Sequence, residues 1–106
     1  IFIDDVVDAL MKSSTAKNVN GKIFNIGLGK SVSVEEIIKI SKNLSDIELK
    51  IQTTKMHKRD YDLFGGKGHA EILQAKKFLN WYPKYSIKQG LEKTFSWYKN
   101  NISLYS

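Results

Sequence analysis

The chain has 106 residues, a formal net charge of +6 and no cysteine, which excludes disulfides and any Cys-based zinc or redox site. Its length suits one small domain or a piece of a larger one, and its 42% hydrophobic content argues for folding rather than disorder. No apolar run approaches the roughly 18 residues of a membrane span, no leader pattern opens the chain, and a cysteine-free composition fits a reducing, cytoplasmic setting.

Residues 1–3 read as the end of a short strand, with no starting Met, so the expectation is a fragment or truncated product. A helix is predicted over 5–16, with Val6, Val7, Leu10 and Met11 on its apolar face. Asp4 and Asp5 sit at its start, where carboxylates accept backbone N–H bonds; Asp5 reads as an N-cap rather than a ligand. Asn18 to Gly21 predict a turn, Lys22 to Ile26 a strand, and Gly27-Leu28-Gly29 a tight turn. Ser33 followed by Glu36 is a capping box, and the helix after it places Val34, Ile37, Ile38, Ser41 and Leu44 on one side.

Glu48 to Thr53 alternate as a strand with Leu49 and Ile51 on one face. Lys55 to His69 are aperiodic and read as a long loop. A short helix is predicted over 70–79 with Ile72, Ala75 and Leu79 inward, Asn80 as C-cap and Pro83 as a block. The last helix, from about Ser86 to Asn101, carries a stripe of Ile87, Leu91, Phe95, Tyr98 and Ile102. The expected fold class is therefore mixed α/β, with about four helices and two to three short strands.

The charge is uneven. Residues 1–50 balance seven Lys against seven acids, while residues 51–106 hold ten Lys/Arg and four acids. A basic half can face phosphate, an acidic partner or solvent. Arg59 is the single Arg, and specific base reading favours Arg, which argues against a dedicated nucleic-acid module.

Two segments that suggest chemistry fall short of a motif. Gly27-Leu28-Gly29-Lys30-Ser31-Val32 follows a predicted strand, but a dinucleotide fingerprint wants Gly where Val32 stands, so the structural turn is the preferred reading. His57 and His69 are twelve residues apart without Cys, which leaves two loop histidines rather than a metal site.

The order and spacing of Ile1-Phe2-Ile3-Asp4-Asp5-Val6-Val7, Ile23-Phe24-Asn25-Ile26-Gly27 and the run from Ala75 to Pro83 through Gly90-Leu91 and Trp97-Tyr98 resemble the C-terminal third of the NAD-dependent epimerase/dehydratase family. These are the extended short-chain dehydrogenases that act on nucleotide sugars. The family's Tyr-x-x-x-Lys pair is absent: four residues after Tyr61, Tyr82, Tyr85 and Tyr98 stand Gly65, Ser86, Gln89 and Ile102. The resemblance thus implies a substrate-binding portion, residues 1–106, without the N-terminal Rossmann domain, and with no cofactor of its own; NAD(P) belongs to the parent.

The resemblance further implies a nucleotide-diphosphate sugar as partner, a keto-sugar intermediate in the parent, and no activity in the isolated fragment. It assigns diphosphate contact to a basic residue of the variable loop, here Arg59 with Lys58 and Lys55 beside it, although the family's Arg-Pro-Gly-Asp pattern is replaced by His57-Lys58-Arg59-Asp60. The other reading of Arg59 is a solvated loop charge. Asn25 matches a family position near the nucleotide, and equally fits a side chain that bonds the following turn. Trp81, Trp97 and Tyr98 read as core rather than base-stacking residues, and Glu71 as a helix cap. Family members are commonly dimers through helices of the absent domain, so the resemblance leaves a homo-oligomer open. The rival reading is a stand-alone basic module for an acidic partner or single-stranded nucleic acid.

Overall fold

The computed structural model describes residues 1–45, 48, 50–52 and 68–105. Among them the regular elements are four helices: α1 (Ile3–Thr15), α2 (Val34–Leu44), α3 (Leu73–Leu79) and α4 (Ile87–Asn101), the last continued by a 3₁₀ turn at Ile102–Tyr105. The expected strands are not seen among the described residues. Residue 3 already belongs to α1, and neither Lys22 to Ile26 nor the described part of 48–53 is assigned as strand. The physical reason is pairing: a strand is completed by a neighbour's backbone, and an extended segment without one has no ladder to join.

Helix α1 starts two residues earlier than predicted, so Phe2, not Asp5, occupies the N-cap position and supplies no side-chain cap bond. The helix stops at Thr15 because Ser13 and Ser14 turn their hydroxyls back to the carbonyls of Leu10 and Met11, both at 2.8 Å, in a segment rich in residues that compete with the helix backbone. Asn18 and Gly21 then take positive φ values of 61° and 74°, and Lys22 N–H closes on the Val19 carbonyl at 3.0 Å, the predicted turn.

Ser33 caps α2 by accepting from Glu36 N–H at 3.0 Å, as its sequence indicated. A second box went unread in the sequence. Ser86 accepts from Gln89 N–H while the Gln89 side chain accepts from Ser86 N–H at 2.9 Å, so α4 begins with both halves of the motif in place. Asn80 ends α3 in the left-handed region, φ 47°, as expected of a C-cap.

The core is thin. Its buried apolar residues are Ala9, Ile72, Ala75, Leu79 and Trp81, with Phe24, Ile26 and Ala70 partly covered around them. The inward residues predicted for α3 are the ones observed. For α1 the expectation is overturned: Val7, Leu10 and Met11 are exposed, and the helix docks on α3 through the small Ala9 instead. A small side chain lets two helices approach closely, and the buried Asp5 fixes which face turns inward. Helix α2 packs on α4 with Ile37, Ile38 and Leu44 half-buried, and Gly90 of α4 is buried against Phe2, whose Cβ lies 3.1 Å from where a Gly90 Cβ would stand.

Asp5 is 1% exposed, and its carboxylate accepts from Lys84 N–H at 2.8 Å and Tyr85 N–H at 3.2 Å. Its backbone carbonyl accepts from the Trp81 indole N–H at 3.0 Å. One residue therefore ties the first turn of α1 to the whole link between α3 and α4. Asp5→Ala leaves two N–H groups without their carboxylate, and at about 1.5–3 kcal/mol for each bond to a charged group we expect a loss of roughly 3 kcal/mol or more. Urea denaturation followed by circular dichroism should show the midpoint collapse, whereas Asp4→Ala on the exposed side should leave it nearly unchanged.

Asp8, one turn further on, stands between Lys84 at 3.1 Å and Lys12 at 3.3 Å. The hydrogen bond from Lys84, with help from Lys12, holds its carboxyl below the ordinary value of 3.8. A depressed folded value means that the contribution is present above about pH 4 and is lost as pH falls through the lowered value. The urea midpoint of the native chain should thus drop more steeply below pH 4 than that of Asp8→Asn, and the two should run parallel between pH 5 and 8.

Candidate functional site

Of the residues singled out for ligand contact, Asn25 lies among the described residues. Asn25 lies in the irregular segment between the Asn18–Gly21 turn and Gly27; it is exposed, and its side chain makes no hydrogen bond to another described residue. The alternative of a side chain bonding the following turn is therefore not what the structure uses. Lys58 and Arg59, together with Lys55 and His57, lie outside the described residues. The point where the chain returns from that stretch is described: the Gly68 carbonyl accepts from the Ser31 hydroxyl at 3.2 Å, and Ala70 packs against Gly27.

That turn explains its own glycines. A Cβ at Gly27 would sit 2.8 Å from the Ala70 Cβ, and one at Gly29, where φ is 68°, would sit 2.9 Å from Ile72 Cδ1. The chain itself fills the space that a pyrophosphate would need against a dinucleotide-binding turn. Gly27 and Gly29 permit close approach of residues 70–72, so this turn does not fit NAD.

The other candidates resolve into structural roles or surface. Trp81 is fully buried and hydrogen-bonded, as expected of core. Trp97 and Tyr98 are not core: they are 47% and 45% exposed, Trp97 meets Tyr98 and Tyr105 edge-to-face at 5.3 and 5.9 Å, and Tyr98 and Tyr105 lie tilted to each other at 5.0 Å. They border an open groove of about 680 Å³ shared with Phe2, Ile3, Asp4 and Lys93, and Asn25 is not part of it. The turn that follows α4 sets this outcome, because it folds Tyr105 back onto both rings instead of covering them with another element. Glu71 accepts from Leu73 N–H at 3.0 Å and so satisfies a first-turn donor of α3. Asp5 holds the 84–85 backbone and faces no open cavity.

Lys22 and, from the basic half, Lys76, Lys77 and Lys93 lie over the chain's own aromatic rings. Lys22 and Lys77 approach Phe78 at 4.6 and 5.4 Å, Lys76 lies 5.7 Å from the Tyr82 ring and Lys93 5.4 Å from Tyr85. Among the described residues no group of three or more His, Cys, Asp or Glu is placed to hold a metal ion, and no helix is long and apolar enough to cross a membrane.

Sequence reasoning missed the bonds of Asp5 to Lys84 and Tyr85, which no local pattern announces across 79 or 80 residues. Gly29→Ala is expected to destabilise by about 1–3 kcal/mol through overpacking on Ile72 and backbone strain. A thermal melt lowered by that amount, with the helical spectrum retained, would bear out the packing role of this turn.

No protein-family model matches the chain, and no solved structure matches it significantly. Curated proteins do. A UDP-glucuronate 4-epimerase of Thermodesulfobacterium geofontis is 36% identical over 97% of this chain and 30% of its own length. UDP-arabinose 4-epimerase 1 of Arabidopsis thaliana is 32% identical over 93% of the chain and 23% of its own length. The UDP-glucose 4-epimerase of Pisum sativum is 26% identical over 97% of the chain and 28% of its own length. The chain spans less than a third of each of these relatives, and over that span it is homologous to UDP-sugar 4-epimerases of the NAD-dependent epimerase family.

Proposed function

We propose that this chain is the substrate-binding, C-terminal portion of a nucleotide-sugar epimerase or dehydratase of the UDP-sugar 4-epimerase kind, and that residues 1–106 work beside an N-terminal NAD-binding Rossmann domain. The observation that carries this reading is the run of similarity to UDP-sugar 4-epimerases over 93–97% of the chain. In such an enzyme NAD accepts a hydride from the sugar and returns it. The redox step and the tyrosine base belong to the other domain, and the α/β character expected from the sequence belongs to the assembled protein.

The chain's own contribution is binding. Asn25 offers an exposed amide beside the Gly27 turn. Arg59, with Lys58 next to it, is the basic pair that the resemblance assigns to the diphosphate. A guanidinium meets two diphosphate oxygens at once, and a neighbouring ammonium adds a point charge. The reading as a module for nucleic acid has less support, because Lys22, Lys76, Lys77 and Lys93 are engaged over the chain's own rings.

The chain alone, supplied with NAD and UDP-glucuronate, is expected to give no epimerised product; turnover by the pure chain would overturn the division of labour. Joined to the part of the Thermodesulfobacterium geofontis enzyme outside the matched segment, it should bind UDP-glucuronate. Arg59→Ala should then weaken binding by about tenfold or more, the worth of one charge-assisted phosphate contact. Calorimetric titration that finds equal affinity for Arg59→Ala and the native chain would remove Arg59 from the site.

A further inference from the structure

Asn20-Gly21 stands in the short link between α1 and the segment that carries Asn25. Lys22 N–H closes this link on the Val19 carbonyl at 3.0 Å, with Asn20 and Gly21 as the two central residues of the turn. Gly21 has φ 74° and Asn20 stays outside the positive region, which is the pattern of a type II turn with glycine at its second central position. The turn bond therefore uses the N–H of Lys22. The Gly21 N–H takes no part in it and meets no acceptor among the described residues.

The surroundings are equally open. Asn20 and Gly21 are both exposed, and a Cβ built at Gly21 would meet no atom within 4 Å. Glycine brings no side chain of its own to shield the backbone nitrogen that follows the Asn20 carbonyl. The other asparagines differ. Val19 follows Asn18, Ile26 follows Asn25 and Leu44 follows Asn43, each a branched side chain, and Asn43 is held in α2.

Independently of the reading above, we propose that Asn20-Gly21 is a site of spontaneous covalent modification, at which the chain's own backbone converts the asparagine to aspartyl and isoaspartyl linkages. The Gly21 nitrogen gives its proton to a solvent base and attacks Asn20 Cγ. The bond from Cγ to the side-chain nitrogen breaks, and that nitrogen leaves as ammonia after taking a proton from solvent. A succinimide joining the two residues remains. Water then opens the ring. Attack at Cγ leaves an aspartyl residue in the original main chain. Attack at the main-chain carbonyl carbon leaves Gly21 joined through Cγ, an isoaspartyl link. Either route consumes one water and releases one ammonia, and nothing is oxidised or reduced.

The products change the turn. Each places a carboxylate between Lys17 and Lys22 in the chain, and Lys22 lies 4.6 Å over the Phe78 ring. The isoaspartyl link also inserts a methylene into the main chain between the partners of the turn bond, so Lys22 N–H and the Val19 carbonyl lose their register.

The test is to hold the folded chain in mildly alkaline buffer and follow each asparagine by peptide mass spectrometry. Cleavage after Lys17 and Lys22 releases residues 18–22 as one peptide. Methyl transfer by an isoaspartyl methyltransferase reports the isoaspartyl product. Position 20 should convert about tenfold or more faster than positions 18, 25 and 43. Asn20→Gln should melt like the native chain and lose the methyl acceptance, because its longer side chain closes a larger ring. The rate at position 20 in the folded chain should lie within about tenfold of the rate in urea, as an open turn requires. A rate at position 20 within tenfold of the other three positions would overturn the proposal. So would methyl acceptance that persists in Asn20→Gln, or a folded rate more than about tenfold below that in urea, since the fold would then protect the site.

Discussion

The buried carboxylate of Asp5 is the constraint on which the rest of the chain is arranged. Sitting in the first turn of α1, it meets a partial positive charge from the helix N-terminus and the N–H groups of Lys84 and Tyr85. The same residue's carbonyl holds the Trp81 indole. Around this tie the neighbouring contacts line up. Phe2 meets Tyr85 edge-to-face at 4.9 Å and packs on Gly90, Asp8 reaches Lys84, and Lys12 donates to the Asn80 carbonyl at 3.0 Å where α3 ends. Together they dock α1 along the entire link from α3 to α4. A charge buried without a cation is costly unless hydrogen bonds satisfy it, so the geometry at residues 81–85 is not free to drift.

Polar ties carry so much here because the apolar core is small. Among the described residues, three of the five buried apolar ones, Ile72, Ala75 and Leu79, come from α3 and the residue before it, and two of the five are alanines. Meanwhile Ile3, Leu10, Met11 and Ile23 face outward. A 106-residue domain ordinarily buries such side chains, and patches of this kind mark interaction surfaces.

The sequence and the structure agree best where local chemistry decides. The α2 start follows from Ser33 and Glu36, the α3 end from Asn80, the early turn from Asn18 and Gly21, and the inward face of α3 from the spacing of Ile72, Ala75 and Leu79. Disagreement arises where a pattern needs a partner. Val7, Leu10 and Met11 have the spacing of a buried face, yet Ala9 and Asp5 set the orientation of α1. Trp97 and Tyr98 have helical spacing too, yet nothing among the described residues covers them except Tyr105. For the site, Asn25 was legible as a residue beside a turn, but its lack of a turn bond was not. Lys58 and Arg59 remain sequence readings, since they lie outside the described residues.

By itself the sequence determined the helices, the Ser33 and Asn80 caps, the glycine turn and the family resemblance, because each rests on neighbours within a few positions or on the order of short motifs. The tertiary structure alone decided what those elements touch. It made Asp5 a long-range tie instead of a cap and gave Gly27 and Gly29 to Ala70 and Ile72 instead of a dinucleotide. It also left the 23–26 backbone without a backbone partner among the described residues. The reason is common to all three: a hydrogen bond or a close approach across 40 or more positions depends on how the chain returns, and no local spacing encodes that return.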